Sequence, residues 1–182
     1  MIKMELQLFG GRGGGSGMSG GGRGASQAVE EPVRFGNQQM QDASDDYWNS
    51  GWSNKKEAAR ILSGDLSEDK FVNQYVKDGM KSDKAIQDRI DRNGRDYTNR
   101  NWSAKSKADW ESEGRNAYNQ AMDQAKQYSV GDTAKRLGVD GINWRTSENE
   151  ARRILGDRTY NALLNESKRG ARRAVDSHKR RR

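Results

Sequence analysis

Between Ser106 and Tyr128, the residues Trp110, Ala117, Tyr118, Ala121, Met122, Ala125 and Tyr128 recur at steps of three, four and seven. That spacing lines up one face of an α-helix, and such a face has to be buried against other helices. Aromatic residues at this spacing read as core before they read as a stacking platform. A chain organised by this face is expected to be a helical assembly.

Other stretches agree. Asn54–Leu62 (NKKEAARIL) and Ser147–Leu155 (SENEARRIL) align without a gap, with Glu, Ala, Arg, Ile and Leu at matching places. Each begins with a capping-box pattern, Asn54 with Glu57 and Ser147 with Glu150. Trp52 or Trp144 stands just upstream, and Gly64 or Gly156 followed by aspartate stops the helix. A second helix is expected after each stop, over Ser67–Lys77 and from Arg158 onward, so the pair reads as two related helical hairpins. A further helix capped by Ser82 carries Ile86 and Ile90 and ends at Gly94. Val130–Val139 (VGDTAKRLGV) resembles the first helix and turn of helix-turn-helix DNA-binding domains, with Thr133-Ala134 opening it, Leu137 inward and Gly138-Val139 at the turn. Helix 147–155 then takes the recognition role, presenting Arg152 or Arg153, although DGINWRT makes a longer turn than that motif uses.

The N-terminal part reads differently. Met4–Phe9 alternates apolar and polar residues and fits one short strand, which needs a partner to persist. The next fifteen residues hold ten glycines with Arg12 and Arg23, a flexible tether by default. They lack GxxxxGK[ST] and a convincing GxGxxG, so a nucleotide site is not expected; Arg12 and Arg23 can still touch phosphates loosely. Gln27–Tyr47, with the chain's one proline at Pro32, reads as an extended acidic connector. Its Asp42, Asp45 and Asp46 lack the alternating ligands and central glycine of a calcium loop, and read as a solvated turn or helix start. The expected fold is mainly α: a small bundle of helical hairpins with a glycine-rich N-terminal segment and the one short strand as an option. Its parts are 1–9, strand-like; 10–46, glycine-rich segment and connector; 47–128, a neutral helical body; and 129–182, a basic helical region with a tail.

Charge sharpens that division. From Ile142 to the end there are 12 basic and 5 acidic residues, whereas the preceding 141 hold 21 of each. The whole net charge of +7 therefore belongs to the C-terminal fifth. Arg152, Arg153, Arg158, Lys168, Arg169, Arg172, Arg173, Lys179, Arg180, Arg181 and Arg182 are the candidate contacts to nucleic acid, double-stranded DNA or RNA. A solvated helix face ending in a basic tail, and an acidic protein surface as partner, are the alternatives. Some of these cations also suit a helix C-terminus on dipole grounds, but KRRR after His178 extends past any core.

Catalysis is not expected. The chain has no Cys and a single His, His178, set among positive charges, which excludes thiol chemistry, a Ser–His–acid triad and a His-based metal cluster. No cofactor is implied. The apolar fraction of 31% and mean hydropathy of −1.20 point to thin helical layers with much solvated surface, while five Trp and six Tyr argue against full disorder. No apolar run approaches the roughly 18 residues of a membrane span. Docking to a protein is expected on the neutral body, through aromatics drawn from Trp48, Trp52, Tyr75, Tyr97, Trp102 and Trp144, with some of them core.

The stretch MELQLFGGRGGGSGMSG, residues 4–20, resembles the opening of many small proteins encoded in the structural regions of Firmicute phages and prophages. With the size, the helical content and the missing catalytic residues, the chain looks like the anti-CRISPR proteins directed at the RNA-guided nuclease Cas9. That resemblance supplies no motif residue. It implies a cytoplasmic, non-enzymatic inhibitor that binds the Cas9–guide RNA complex, or other host nucleic-acid machinery, and interferes with target DNA. A virion-associated or packaging protein of a phage head and a small helix-turn-helix-like regulator are the alternatives. Spacing leaves the oligomeric state open.

Overall fold

Trp48 is the largest fully buried side chain, and it sits just after the stretch expected to be an extended connector. In the computed structural model, which describes residues 34–181, Asn37–Asn49 is a helix, α1. It buries Met40, Ala43, Ser44, Tyr47 and Trp48 on one side, at steps of one, three and four, and keeps Asp42 and Asp46 in solvent. The acids that looked like a connector are the wet face of an amphipathic helix. The strand reading at Met4–Phe9, the glycine-rich segment with Arg12 and Arg23, and Pro32 lie outside the described residues.

Five more helices follow: α2 (Trp52–Leu62), α3 (Glu68–Asn93), α4 (Lys107–Arg136), α5 (Glu148–Leu155) and α6 (Asp157–Arg180). The fold is a small, mainly α bundle, with no strand among the described residues. Three expected helix ends are moved. Asn54 does not cap α2, because the helix starts earlier, at Trp52 after a left-handed Gly51. Ser82 lies inside α3, which runs unbroken across both stretches expected to be separate helices. Likewise Val130–Arg136 is the last part of α4, so VGDTAKRLGV does not form a first helix of its own.

The physical reason is the same in α3 and α4. Gly79 and Gly131 are not helix stops; they are places where another group comes too close for a side chain. A Cβ on Gly79 would stand 2.6 Å from the Trp110 ring, and one on Gly131 would stand 2.2 Å from the carbonyl oxygen of Asn143. Glycine is tolerated inside a helix when packing of that kind compensates for its propensity. The expected stops at Gly94, Gly64 and Gly156 are met, and Ser67, Ser106 and Ser147 cap α3, α4 and α5 with their hydroxyls.

Packing joins what composition divided. One apolar cluster unites Met40 of α1, Val130 and Ala134 of α4, Ala151 and Leu155 of α5, and Tyr160 and Leu163 of α6. A second unites Tyr47 and Trp48 with Ala59 and Leu62 of α2, Ala125 of α4, and Ala171, Ala174 and Val175 of α6. The expected boundary between 128 and 129 falls inside α4, and the neutral body shares its core with the basic region. The third cluster is smaller: Ile61, Phe71, Tyr118 and Ala121. It marks where the long α3–α4 hairpin leaves the rest, and α3 packs chiefly on α4.

Candidate nucleic-acid interface

Helix α6 carries most of the excess charge, and its neighbours sort that charge into two groups. Tyr160, Leu163, Ser167, Gly170, Ala171, Ala174 and Val175 are buried, and Leu164 is half-buried. The close fit with α1 depends on small residues. The Trp48 indole N–H donates to the carbonyl of Ser167 at 2.9 Å, and a Cβ on Gly170 would stand 2.3 Å from Ser44 Oγ.

Around this seam several expected nucleic-acid contacts are engaged within the molecule. Arg173 donates through Nε and Nη2 to Asp45 Oδ1 at 2.9 and 2.7 Å and through Nη2 to Glu166 at 2.7 Å, tying α6 to α1. Glu166 is almost wholly buried, and its other oxygen meets Arg169 at 3.2 Å. Arg152 pairs with Glu148 at 2.8 Å and Asp157 at 2.9 Å, donates to Asn161 at 3.2 Å and lies over the Tyr160 ring at 4.2 Å. Burial, then the nearby Glu148 carboxylate, push the Tyr160 phenol up to about 12. Lys179 pairs with Asp65, which also accepts from Arg60 at 2.9 Å. The hydrogen bonds from Arg60 and Lys179 hold the Asp65 carboxyl below its ordinary value. Arg172 donates to the carbonyl of Ser63 at 3.2 Å from an exposed position. Arg152, Arg173 and Lys179 are thus each engaged by acids within the fold.

The second group faces solvent. Arg153, Arg158, Lys168, Arg180 and Arg181 are exposed and make no ion pair among the described residues. At 3.6 residues per turn, Arg158, Lys168, Arg172 and Arg180 fall with Arg169, which is 68% exposed, on the outer half of α6. Asp157 and Asp176 are exposed acids on the same side. From Arg158 to Arg180 this ridge is roughly 33 Å long at 1.5 Å per residue. Arg182 lies outside the described residues.

The expected protein-docking aromatics divide as well. Trp48 is fully buried and is core, which removes it from any docking surface. Trp52 is half-buried and stacks on His178, centroids 4.1 Å apart and planes within 9°, so the lone histidine closes α6 onto α2. Tyr75 is half-buried between Phe71 and Trp110. Trp102 is half-buried in the loop after α3 and accepts from Arg95 through its carbonyl at 2.8 Å. Trp144 is 40% exposed, with the Arg145 guanidinium over its ring at 4.5 Å and the Tyr128 edge beside it. Tyr97 is 92% exposed.

Helical spacing offers Glu148 to Arg152 and Glu166 to Arg169, but it has no means of finding the distant acids. Asp45 and Asp65 are far in sequence from Arg173 and Lys179, and those roles exist only in the fold, whereas Glu166 shares α6 with Arg169 and Arg173. Among the described residues no three His, Cys, Asp or Glu side chains gather to hold a metal ion, and no helix is long and apolar enough to cross a membrane.

No family model, no curated protein and no solved structure matches this chain. The identity suggested by the glycine-rich start, a phage-encoded anti-CRISPR inhibitor of Cas9, finds no counterpart in any of these comparisons and is withdrawn. Of that picture the all-α fold stands.

Proposed function

We propose that the chain is a nucleic-acid-binding protein without base-specific readout, holding phosphates along the outer ridge of α6. The observation that carries the reading is the sorting of charge. Among the described residues Arg158, Lys168 and Arg180 make no ion pair, on the outer side of a helix whose Arg169, Arg173 and Lys179 each meet an acid. Unpaired surface cations at this density repel one another and favour a polyanion that neutralises them together. A ridge about 33 Å long matches roughly one turn of duplex. The rigid backbone of a buried helix holds the cations in place, so binding need not order a flexible tail.

The test is a fluorescence-polarisation titration of labelled duplexes of two unrelated sequences across a range of salt. With about five phosphates neutralised, the logarithm of affinity falls with that of salt at a slope of about −4 to −5. Affinity differs little between the two sequences, and replacing Arg158, Lys168 and Arg180 together by Ala lowers the slope by about 3. A slope near zero in the wild type, or one unchanged in the variant, refutes the proposal.

A further inference from the structure

The loop between α3 and α4, residues 94–106, is held by polar contacts that leave an aromatic ring in water. Asp96 Oδ1 accepts from the backbone N–H groups of Thr98 at 3.0 Å and Asn99 at 3.1 Å, and from the Thr98 hydroxyl at 2.6 Å. Its other oxygen accepts from Arg89 at 2.7 Å. Asn99 is buried, and its side-chain oxygen accepts from the Asp96 N–H at 2.8 Å. Arg95 donates to the carbonyls of Asn99 at 3.0 Å and Trp102 at 2.8 Å, drawing the turn closed. Trp110 anchors the base of the hairpin by donating to the buried Asp83 at 2.9 Å, and the same carboxyl oxygen accepts from the Lys105 N–H at 3.0 Å. On top of this scaffold Tyr97 is 92% exposed, and its ring makes no aromatic contact among the described residues.

The surroundings of that ring select its partner. Of the six basic side chains in residues 89–107, Arg89 pairs with Asp96, Lys105 with Glu113 and Lys107 with Glu111, which leaves Arg92, Arg95 and Arg100 without an ion pair among the described residues. Arg100 is exposed and its guanidinium makes no ion pair among the described residues. Thr98, Arg100 and Asn101, beside Tyr97 in the turn, are exposed and polar, so the apolar core that a protein interface builds around an aromatic anchor is missing. A single π face in a cationic, polar frame fits an unpaired base with its phosphate.

From these contacts we infer that the Tyr97 loop is a second nucleic-acid contact, in which the ring stacks on an unpaired base of a single strand while Arg100 meets the adjoining phosphate. The inference rests on the nucleic-acid reading and adds a ligand class to it: a polyanion with both paired and unpaired segments. It is tested with the full-length chain, a labelled oligothymidylate and a duplex of equal phosphate count. In Tyr97→Ala the affinity for oligothymidylate falls about tenfold, while duplex affinity and thermal stability stay unchanged. Tyr97→Trp restores single-strand affinity, because the larger π face stacks at least as well. Unchanged oligothymidylate affinity in Tyr97→Ala, with duplex binding intact, overturns this inference alone and leaves the ring to a protein partner. Equal losses on both ligands also overturn it, since stacking on an unpaired base has no duplex counterpart. Absence of binding to either ligand by the wild type overturns both readings together.

Discussion

The core around α6 and the hairpin of α3 with α4 use the same residue types for opposite ends. Around α6, arginine and tryptophan are turned inward: Arg173 bridges Asp45 and the buried Glu166, Arg152 covers Tyr160, and Trp48 is sealed beneath Gly170. At the far end of the hairpin, one anchored ring, Trp110, holds a loop that displays Tyr97 and Arg100. Burial needs several helices converging on a side chain, and α6 has α1, α2, α4 and α5 against it, whereas α3 packs chiefly on α4. An arginine-rich or aromatic-rich stretch is therefore not itself a site. It becomes one only where the fold leaves those side chains without internal partners.

Four substitutions probe this contrast, beginning with the largest expected effect. Trp48→Ala removes a fully buried indole and its hydrogen bond to Ser167, and costs about 3–5 kcal/mol in denaturant unfolding. Gly79→Ala drives a methyl into Trp110 and costs about 1–3 kcal/mol. Its signature is regional: amide exchange quickens in α3 and the first half of α4, while α1 and α6 keep their protection. Equal quickening in α1 and α6 would show that hairpin and core unfold as one unit. Arg173→Ala leaves Asp45 without its cation and the buried Glu166 with Arg169 alone, and because Arg173 is itself 38% exposed, solvent limits the loss to about 1–2 kcal/mol.

The smallest effect concerns acid. Asp65 is held below its ordinary 3.8 by Arg60 and Lys179, so its contribution is full above that value and is lost as pH falls through the depressed one. Asp65→Asn lowers the melting temperature slightly at neutral pH and flattens its fall below about pH 4. An unchanged acid limb would remove the Asp65–Lys179 clamp from the account.

Much of the fold was legible in the residues and much of the site was not. The α4 face from Trp110 to Tyr128, the serine caps at 67, 106 and 147 and the stops at Gly64, Gly94 and Gly156 follow from local chemistry, which spacing reports. Helix α1 was missed because only Met40, Ala43, Tyr47 and Trp48 of its 13 residues are apolar, against a wet face that carries Asp42 and Asp46. The breaks expected at Ser82 and near Val130 failed because Gly79 and Gly131 answer to groups distant in sequence, Trp110 and Asn143. The basic patch was visible as a count, but part of its division into clamps and free cations depends on the distant Asp45 and Asp65. No local pattern carries that pairing.

The most direct test of the central claim sets clamp against ridge. Arg173→Ala and the double variant Arg158→Ala/Lys168→Ala are compared for thermal stability and for the salt slope of duplex binding. The account predicts that Arg173→Ala melts several degrees lower with its slope unchanged, while the double variant melts like the wild type with its slope reduced by about 2. A double variant that loses stability but keeps its slope, or an Arg173→Ala that keeps its stability but loses slope, would contradict the division of charge proposed for α6.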